Sequence, residues 1–117
     1  MPAPGETKRI VLFTLPPVRE IDLVGAVDVF TSANRTVGGK PLYDIKIVNA
    51  EKALADKKIS GMCGLSLYCD ADFRSFRRKI DTLLVPGGTH KRCFSNKIIR
   101  LPARQLTSPR IWAHTDD

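Results

Sequence analysis

The sequence predicts an α/β domain with a mainly parallel β-sheet that is incomplete at its C-terminal side. Short apolar, β-prone runs alternate with one helical stretch over the first 89 residues, and this order is typical of parallel sheets. After residue 89 the alternation stops. Pro102 and Pro109 interrupt any long helix there, and no further strand of the buried type is recognised. We therefore divide the chain into an α/β part, residues 1–89, and a basic tail, residues 90–117.

The first strand and the only clear helix come early in the chain. Residues 9–15 form an apolar β-prone run that ends at two prolines. From Asp22 onward the apolar residues recur at helical spacing; they are Leu23, Ala26, Val27, Phe30 and Ala33. Asp22 is the predicted N-cap of this helix and Gly38 its terminator. Glu20 is interpreted as a solvated loop charge.

Three more segments follow the helix. Residues 41–50 alternate apolar and polar side chains, which predicts a strand. Residues 59–70 contain two glycines between short β-prone pieces and predict a small hairpin or a kinked edge strand. Residues 71–79 are interpreted as a brief polar connection. Residues 80–86 predict a strand buried on both faces, which runs directly into Gly87 and Gly88.

Composition limits the class of protein. A chain of 117 residues holds one small domain, and no apolar run approaches the roughly 20 residues that span a bilayer. The N-terminus lacks the features of a secretory signal, so we expect a cytoplasmic protein with no membrane contact. The three cysteines, Cys63, Cys69 and Cys93, are an odd number, which argues against a disulfide framework. We interpret Cys63 and Cys69 as small buried or edge residues.

The net charge of +7 is concentrated toward the end of the chain. Residues 90–117 contain six Lys or Arg and two Asp, so the tail carries +4 of the total. We interpret this charge as a solvated surface and expect no nucleic-acid partner for the chain alone. A basic nucleic-acid-binding fragment remains the open alternative.

The predicted parallel sheet also predicts where a ligand would bind. Such sheets hold ligands outside the carboxyl ends of their strands, which makes residues 16–22 and 86–90 neighbours at one edge. Gly87 and Gly88 let backbone N–H groups approach a ligand closely. A plain tight turn accounts for these glycines equally well.

Four stretches in this order resemble one known family: EIDLVGAVDVFTSANR, PLYDIKIV, CGLSLYCD and DTLLVPGGT. They resemble the ThiJ/PfpI superfamily, also called class I glutamine amidotransferase-like, over about residues 8–89. Within it they are most similar to the N-terminal sensing domain of AraC-type transcriptional regulators. The resemblance implies a flavodoxin-like sandwich, a homo-oligomer (usually a dimer) and a small-molecule ligand. It also implies a pocket in which Asp22 matches the carboxylate that contacts the family's reactive cysteine. Gly87 and Gly88 match the family's oxyanion donors.

The sequence departs from the family after residue 89. The family's reactive cysteine lies on an elbow after a further strand, whereas Cys93 follows Gly88 by only five residues. No helix-turn-helix follows either, and the loss of pattern at residue 90 resembles the end of a truncated gene. We therefore expect a truncated small-molecule-sensing domain that lacks the family's nucleophilic cysteine. The alternative is a cysteine-dependent enzyme of the same superfamily, isonitrile-hydratase-like or deglycase-like, with Cys93 in the nucleophile's place.

Metal and cofactor sites are not expected. His90 and Cys93 have the spacing of a ligand pair, but no second pair completes a zinc site. The glycine motifs of dinucleotide-binding and P-loop proteins do not occur in the sequence.

Overall fold

The predicted α/β class is confirmed. The computed structural model describes residues 6–52 and 55–86, and the backbone of 110–113. The elements in chain order are β1 (Lys8–Thr14), α1 (Glu20–Val37), β2 (Tyr43–Asn49), β3 (Lys58–Ser60), β4 (Ser66–Tyr68), β5 (Ala71–Asp72), β6 (Thr82–Val85) and β7 (Arg110–Ala113). The described part of the chain has no helix long and apolar enough to cross a bilayer.

The main sheet has five strands in the order β5-β2-β1-β6-β7, and every neighbouring pair is parallel. Strand β1 lies at the centre, paired with β2 along its whole length and with β6 from Ile10 to Leu12. All five strands therefore end at one edge of the sheet, called here the carboxyl edge. The strand order agrees with the predicted partial flavodoxin-like fold.

Two strands were not predicted from the sequence. Strand β5 has only two residues and pairs with the end of β2, too short to produce an alternating pattern. Strand β7 pairs with β6 from Arg110 to Ala113, so the tail contributes a strand to the main sheet where the sequence indicated none. Pro109 directly precedes β7, and a proline is tolerated immediately before a strand because no ladder hydrogen bond is lost there.

One face of the sheet is covered by α1 and by a hairpin. Leu23 of α1 and Ile59 of β3 pack with Leu12 of β1, and Ala26 and Val27 contact the same cluster. Strands β3 and β4 pair antiparallel, which confirms the predicted hairpin. Gly38 caps α1 with φ 54°, a left-handed backbone conformation that glycine adopts without strain, so the predicted helix terminator is also confirmed.

The opposite face is covered by residues 73–80, called here the covering segment. Phe76 and Ile80 are buried against Val11, Phe13 and Leu83. The interpretation of residues 71–79 as a merely polar connection is therefore wrong. Phe73 and Phe76 are the only two aromatic residues of this segment and are surrounded by polar and charged residues in the sequence. The apolar residues are too few to show a helix or strand period, so the sequence did not indicate that Phe76 belongs to the core.

Candidate functional site

The site predicted around Asp22 begins where β1 leaves the sheet. Residues 15–19 connect β1 to α1 and include a cis peptide bond between Pro16 and Pro17. Helix α1 begins at Glu20, with Arg19 as its N-cap. The prediction that Asp22 is the N-cap is therefore wrong, because the helix starts two residues earlier and Asp22 lies inside its first turn.

One carboxylate oxygen of Asp22 has no hydrogen-bond donor among the described residues. Its Oδ2 atom is buried and accepts no hydrogen bond from any described residue, although the side chain as a whole is 25% exposed. The nearest cation is Arg19, whose Nε lies 4.0 Å from Oδ2, beyond hydrogen-bonding distance. Buried acceptors in folded proteins nearly always have a donor, so this oxygen is suited to a ligand that supplies one.

Glu20 has a structural role that the sequence did not suggest. The residue is 5% exposed, so its interpretation as a solvated charge is wrong. Its carboxylate accepts hydrogen bonds from the backbone N–H of Cys63, at 2.9 Å and 3.0 Å to the two oxygens, and from that of Leu65 at 3.2 Å. Donation from Cys63 is the main reason that the pKa of Glu20 is lowered, against the opposing effect of desolvation. Glu20 thus fastens the hairpin turn to the start of α1.

Gly61 makes this contact sterically feasible. A Cβ atom at this position would overlap the carboxyl group of Glu20. The backbone on either side of Gly61 is also joined to the β1–α1 connection: Val18 donates to Ser60 O at 3.1 Å and Met62 donates to Val18 O at 2.8 Å. A glycine at the end of β3 is therefore required by a close approach. A glycine between β-prone residues can indicate a close approach of two backbone segments, so Gly61 was the sequence signal for the contact between Glu20 and the hairpin turn.

Buried polar side chains lie at the ends of the neighbouring strands β1 and β2. Thr14 ends β1 and donates its hydroxyl hydrogen to Val48 O at 3.3 Å, while Asn49 ends β2 and accepts from Glu51 N at 2.9 Å. Both residues lie at the carboxyl edge, the edge at which parallel sheets bind ligands. The sequence analysis did not single them out, because each is one polar residue at the end of an apolar run.

The other predicted pocket residues, Gly87 and Gly88, lie outside the described residues, as do His90 and Cys93. The structure does describe β6, the strand that precedes Gly87 and Gly88 in the sequence. Strand β6 runs parallel to β1 and beside it, so Val85 and Leu15 lie at the carboxyl edge together. Gly87 and Gly88 follow Pro86 directly in the sequence, and their place in a pocket with Asp22 stays a prediction.

The two described cysteines differ in accessibility. Cys63 is exposed in the hairpin turn, whereas Cys69 is buried after β4. Burial raises the pKa of the Cys69 thiol, which keeps it protonated and unreactive at neutral pH. Neither cysteine follows a strand of the main sheet, so neither occupies the position of a strand-to-helix elbow.

Comparison with solved structures places this fold among known proteins. The chain matches a ThiJ/PfpI family protein from Pseudomonas syringae over 76% of its length, with 26% identity and a TM-score of 0.54. It matches a candidate transcriptional regulator protein from Vibrio parahaemolyticus over 92% of its length, with 17% identity and a TM-score of 0.61. A DJ-1 superfamily protein from Agrobacterium tumefaciens matches over 92% as well, with 16% identity and a TM-score of 0.57.

The chain thus has the fold of ThiJ/PfpI and DJ-1 superfamily proteins, and the resemblance to the ThiJ/PfpI superfamily noted in the sequence is confirmed. The chain spans 36%, 56% and 53% of the lengths of these three proteins respectively. No protein-family model matches the chain, and neither does any curated protein sequence.

Proposed function

We propose that this chain carries part of a small-molecule-sensing domain of the AraC-type regulator lineage within the ThiJ/PfpI superfamily, and that it works in the cytoplasm. The ligand cleft lies at the carboxyl edge, beside Asp22 and the glycines at 87 and 88. The observation that carries the proposal is the buried Oδ2 atom of Asp22, which has no hydrogen-bond donor among the described residues.

The chemistry of Asp22 limits the kind of ligand. An ionised carboxylate only accepts hydrogen bonds, and a charged donor strengthens such a bond about twofold over a neutral one. A ligand with an ammonium, guanidinium or amide group therefore suits this position better than a carboxylic acid or a phosphate. Such a ligand gives Oδ2 the donor that the described residues do not provide.

Sensing accounts for the described residues better than cysteine chemistry does. A nucleophilic cysteine needs a thiolate and a base within hydrogen-bonding reach. Cys69 is buried with a raised pKa, and Cys63 lies in the turn of the β3–β4 hairpin, not after a strand of the main sheet. Asp22 is then free to bind a ligand instead of activating a thiol.

The proposal includes self-association. Ile21 and Val24 of α1 are exposed, and so are Met62 and Leu65 in the hairpin turn. The hydrogen bond from the Leu65 amide to the Glu20 carboxylate joins the hairpin turn to the first turn of α1. We propose that these side chains form one surface, because exposed apolar patches are typical of protein–protein contacts. Replacing Ile21 and Leu65 with serine should lower the sedimentation coefficient to that of a monomer; a wild-type chain that is already monomeric would contradict this part of the proposal.

Thermal-shift measurements with a panel of amino acids and alkylamines test the ligand site. We expect at least one compound to raise the unfolding temperature of the wild type saturably, because a ligand that binds only the folded state stabilises it. The Asp22→Asn variant should lose that shift. The matched control is Asp28→Asn, an exposed acid of the same helix, which should keep it. Equal shifts in all three proteins would contradict a site at Asp22.

A further inference from the structure

The covering segment presents a basic surface to solvent. Four of its residues, Arg74, Arg77, Arg78 and Lys79, are exposed and are called here the basic surface. They fall within six consecutive positions, and no acidic residue lies between them. These residues lie outside the basic tail, and the structure adds that all four are exposed while Phe76 between them is buried.

The backbone that carries the basic surface is fixed at several points. Phe76 and Ile80 anchor it to the sheet. At its start, Asp72 Oδ1 accepts hydrogen bonds from Arg74 N at 3.1 Å and Ser75 N at 2.9 Å. At its end, Arg9 Nη1 donates to Lys79 O at 3.1 Å. The four cations therefore project from an ordered backbone, and binding need not order it.

Nearby acidic groups leave part of this charge uncompensated. Asp44 Oδ2 lies 3.0 Å from Arg9 Nε, and Asp44 Oδ1 lies 3.6 Å from Lys46 Nζ. Asp81 Oδ2 accepts a hydrogen bond from Arg9 N. Within the described residues, Arg77 and Lys79 side chains form no ion pair. Asp44 and Asp81 are thus engaged by Arg9 and Lys46, which lie outside the surface, and Arg78 is a further cation that attracts Asp44.

We propose that the basic surface binds the phosphate backbone of double-stranded nucleic acid. Three of its four cations are arginines, whose planar guanidinium groups match the geometry of phosphate oxygens. Several cations on an anchored backbone suit a duplex, which presents a regular row of phosphates. Contacts of this kind position a protein on nucleic acid without reading its sequence.

The aromatic residues of the segment favour a duplex over a single strand. Single-stranded nucleic acid is held largely by bases stacked on exposed rings. Phe76 is buried, and the ring of Phe73 is half-buried with the guanidinium of Arg74 5.5 Å from its centre. The basic surface therefore offers charge but no open ring to stack on.

The test compares two double variants with the same loss of charge. Arg77→Gln/Lys79→Gln changes the basic surface, and Lys40→Gln/Lys52→Gln changes exposed lysines elsewhere. Binding to a mixed-sequence DNA duplex about two helical turns long is followed by fluorescence anisotropy between about 50 and 200 mM salt. The plot of log K against log salt should become shallower by about 2 for the first variant. It should stay at the wild-type slope for the second. The tail is the same in every protein, so the difference isolates the basic surface.

Several results would overturn the proposal. One is a wild type that does not bind duplex DNA, and another is an equal slope for the two double variants. A third is poly-glutamate binding as tightly as DNA with the same dependence on Arg77 and Lys79, which would assign the surface to an acidic protein. A thermal unfolding curve of each variant checks that it folds. If Arg77→Gln/Lys79→Gln does not fold, the single variant Arg77→Gln should reduce the slope of log K against log salt by about 1. An unchanged slope in that variant would again overturn the proposal.

Discussion

Shortening Ile80 by one carbon tests whether the covering segment belongs to the core. Ile80 is 0% exposed and packs beneath the sheet with Phe76 and Leu83. Ile80→Val removes one buried methylene, worth about 0.8 kcal/mol in transfer free energy, and the small cavity left behind brings the expected loss to about 1 kcal/mol. Unfolding entropy is about 2.1 cal/mol/K per residue, which gives about 0.25 kcal/mol/K for 117 residues. The unfolding temperature should therefore fall by about 4 °C.

The measurement is a thermal unfolding curve followed by circular dichroism, with Ile21→Val as the matched control. Ile21 loses the same carbon from a side chain that is 77% exposed in the single chain. At protein concentrations low enough to keep the chain monomeric, its unfolding temperature should therefore change by less than about 2 °C. Equal changes in the two variants would refute the placement of Ile80 in the core. The covering segment, and with it the basic surface, would then need a different arrangement.

Three further predictions concern the hairpin turn. Gly61→Ala should destabilise the chain, because the new methyl group displaces the Glu20 carboxylate; Gly25→Ala, on an exposed helical position with open space around it, should instead stabilise it by about 0.5–1 kcal/mol. Because the pKa of Glu20 is lowered in the folded chain, its ionised carboxylate stabilises the fold at pH values above the ordinary pKa of 4.5, and this stabilisation is lost as the pH falls through the lowered pKa. The free energy of unfolding in urea should therefore fall less steeply with decreasing pH in Glu20→Gln than in the wild type. Parallel pH profiles of the two proteins would count against this role of Glu20. Brief alkylation at neutral pH, mapped by mass spectrometry, should label Cys63 ahead of Cys69, because Cys69 is buried and its pKa is raised.

The regular elements were predictable because their apolar residues follow a clear period. Strands β1 and β2 and helix α1 each have enough length for alternation or helical spacing to show, and the two glycines between β-prone pieces indicated the hairpin. The covering segment and β5 have no such period. Their burial depends on where the neighbouring strands place them, and a local pattern does not contain that information.

The candidate site was predicted in part for a related reason. A carboxylate near the start of α1 was expected, but sequence position alone did not separate the roles of Glu20 and Asp22. The Glu20 carboxylate points to the hairpin turn and accepts hydrogen bonds from two backbone amides there. Asp22 retains a buried oxygen without a described donor. This difference between Glu20 and Asp22 depends on the close approach of Gly61 to the Glu20 carboxylate. Gly61 follows Glu20 by 41 positions in the sequence.

Amide chemical-shift mapping during titration with the amino-acid and alkylamine panel tests directly for a ligand site at the carboxyl edge beside Asp22. We expect saturable shifts in the amides of Asp22, Leu15 and Val85, and we expect them to be lost in Asp22→Asn and retained in Asp28→Asn. Saturable shifts that survive Asp22→Asn, or a panel that moves none of these amides, would contradict it.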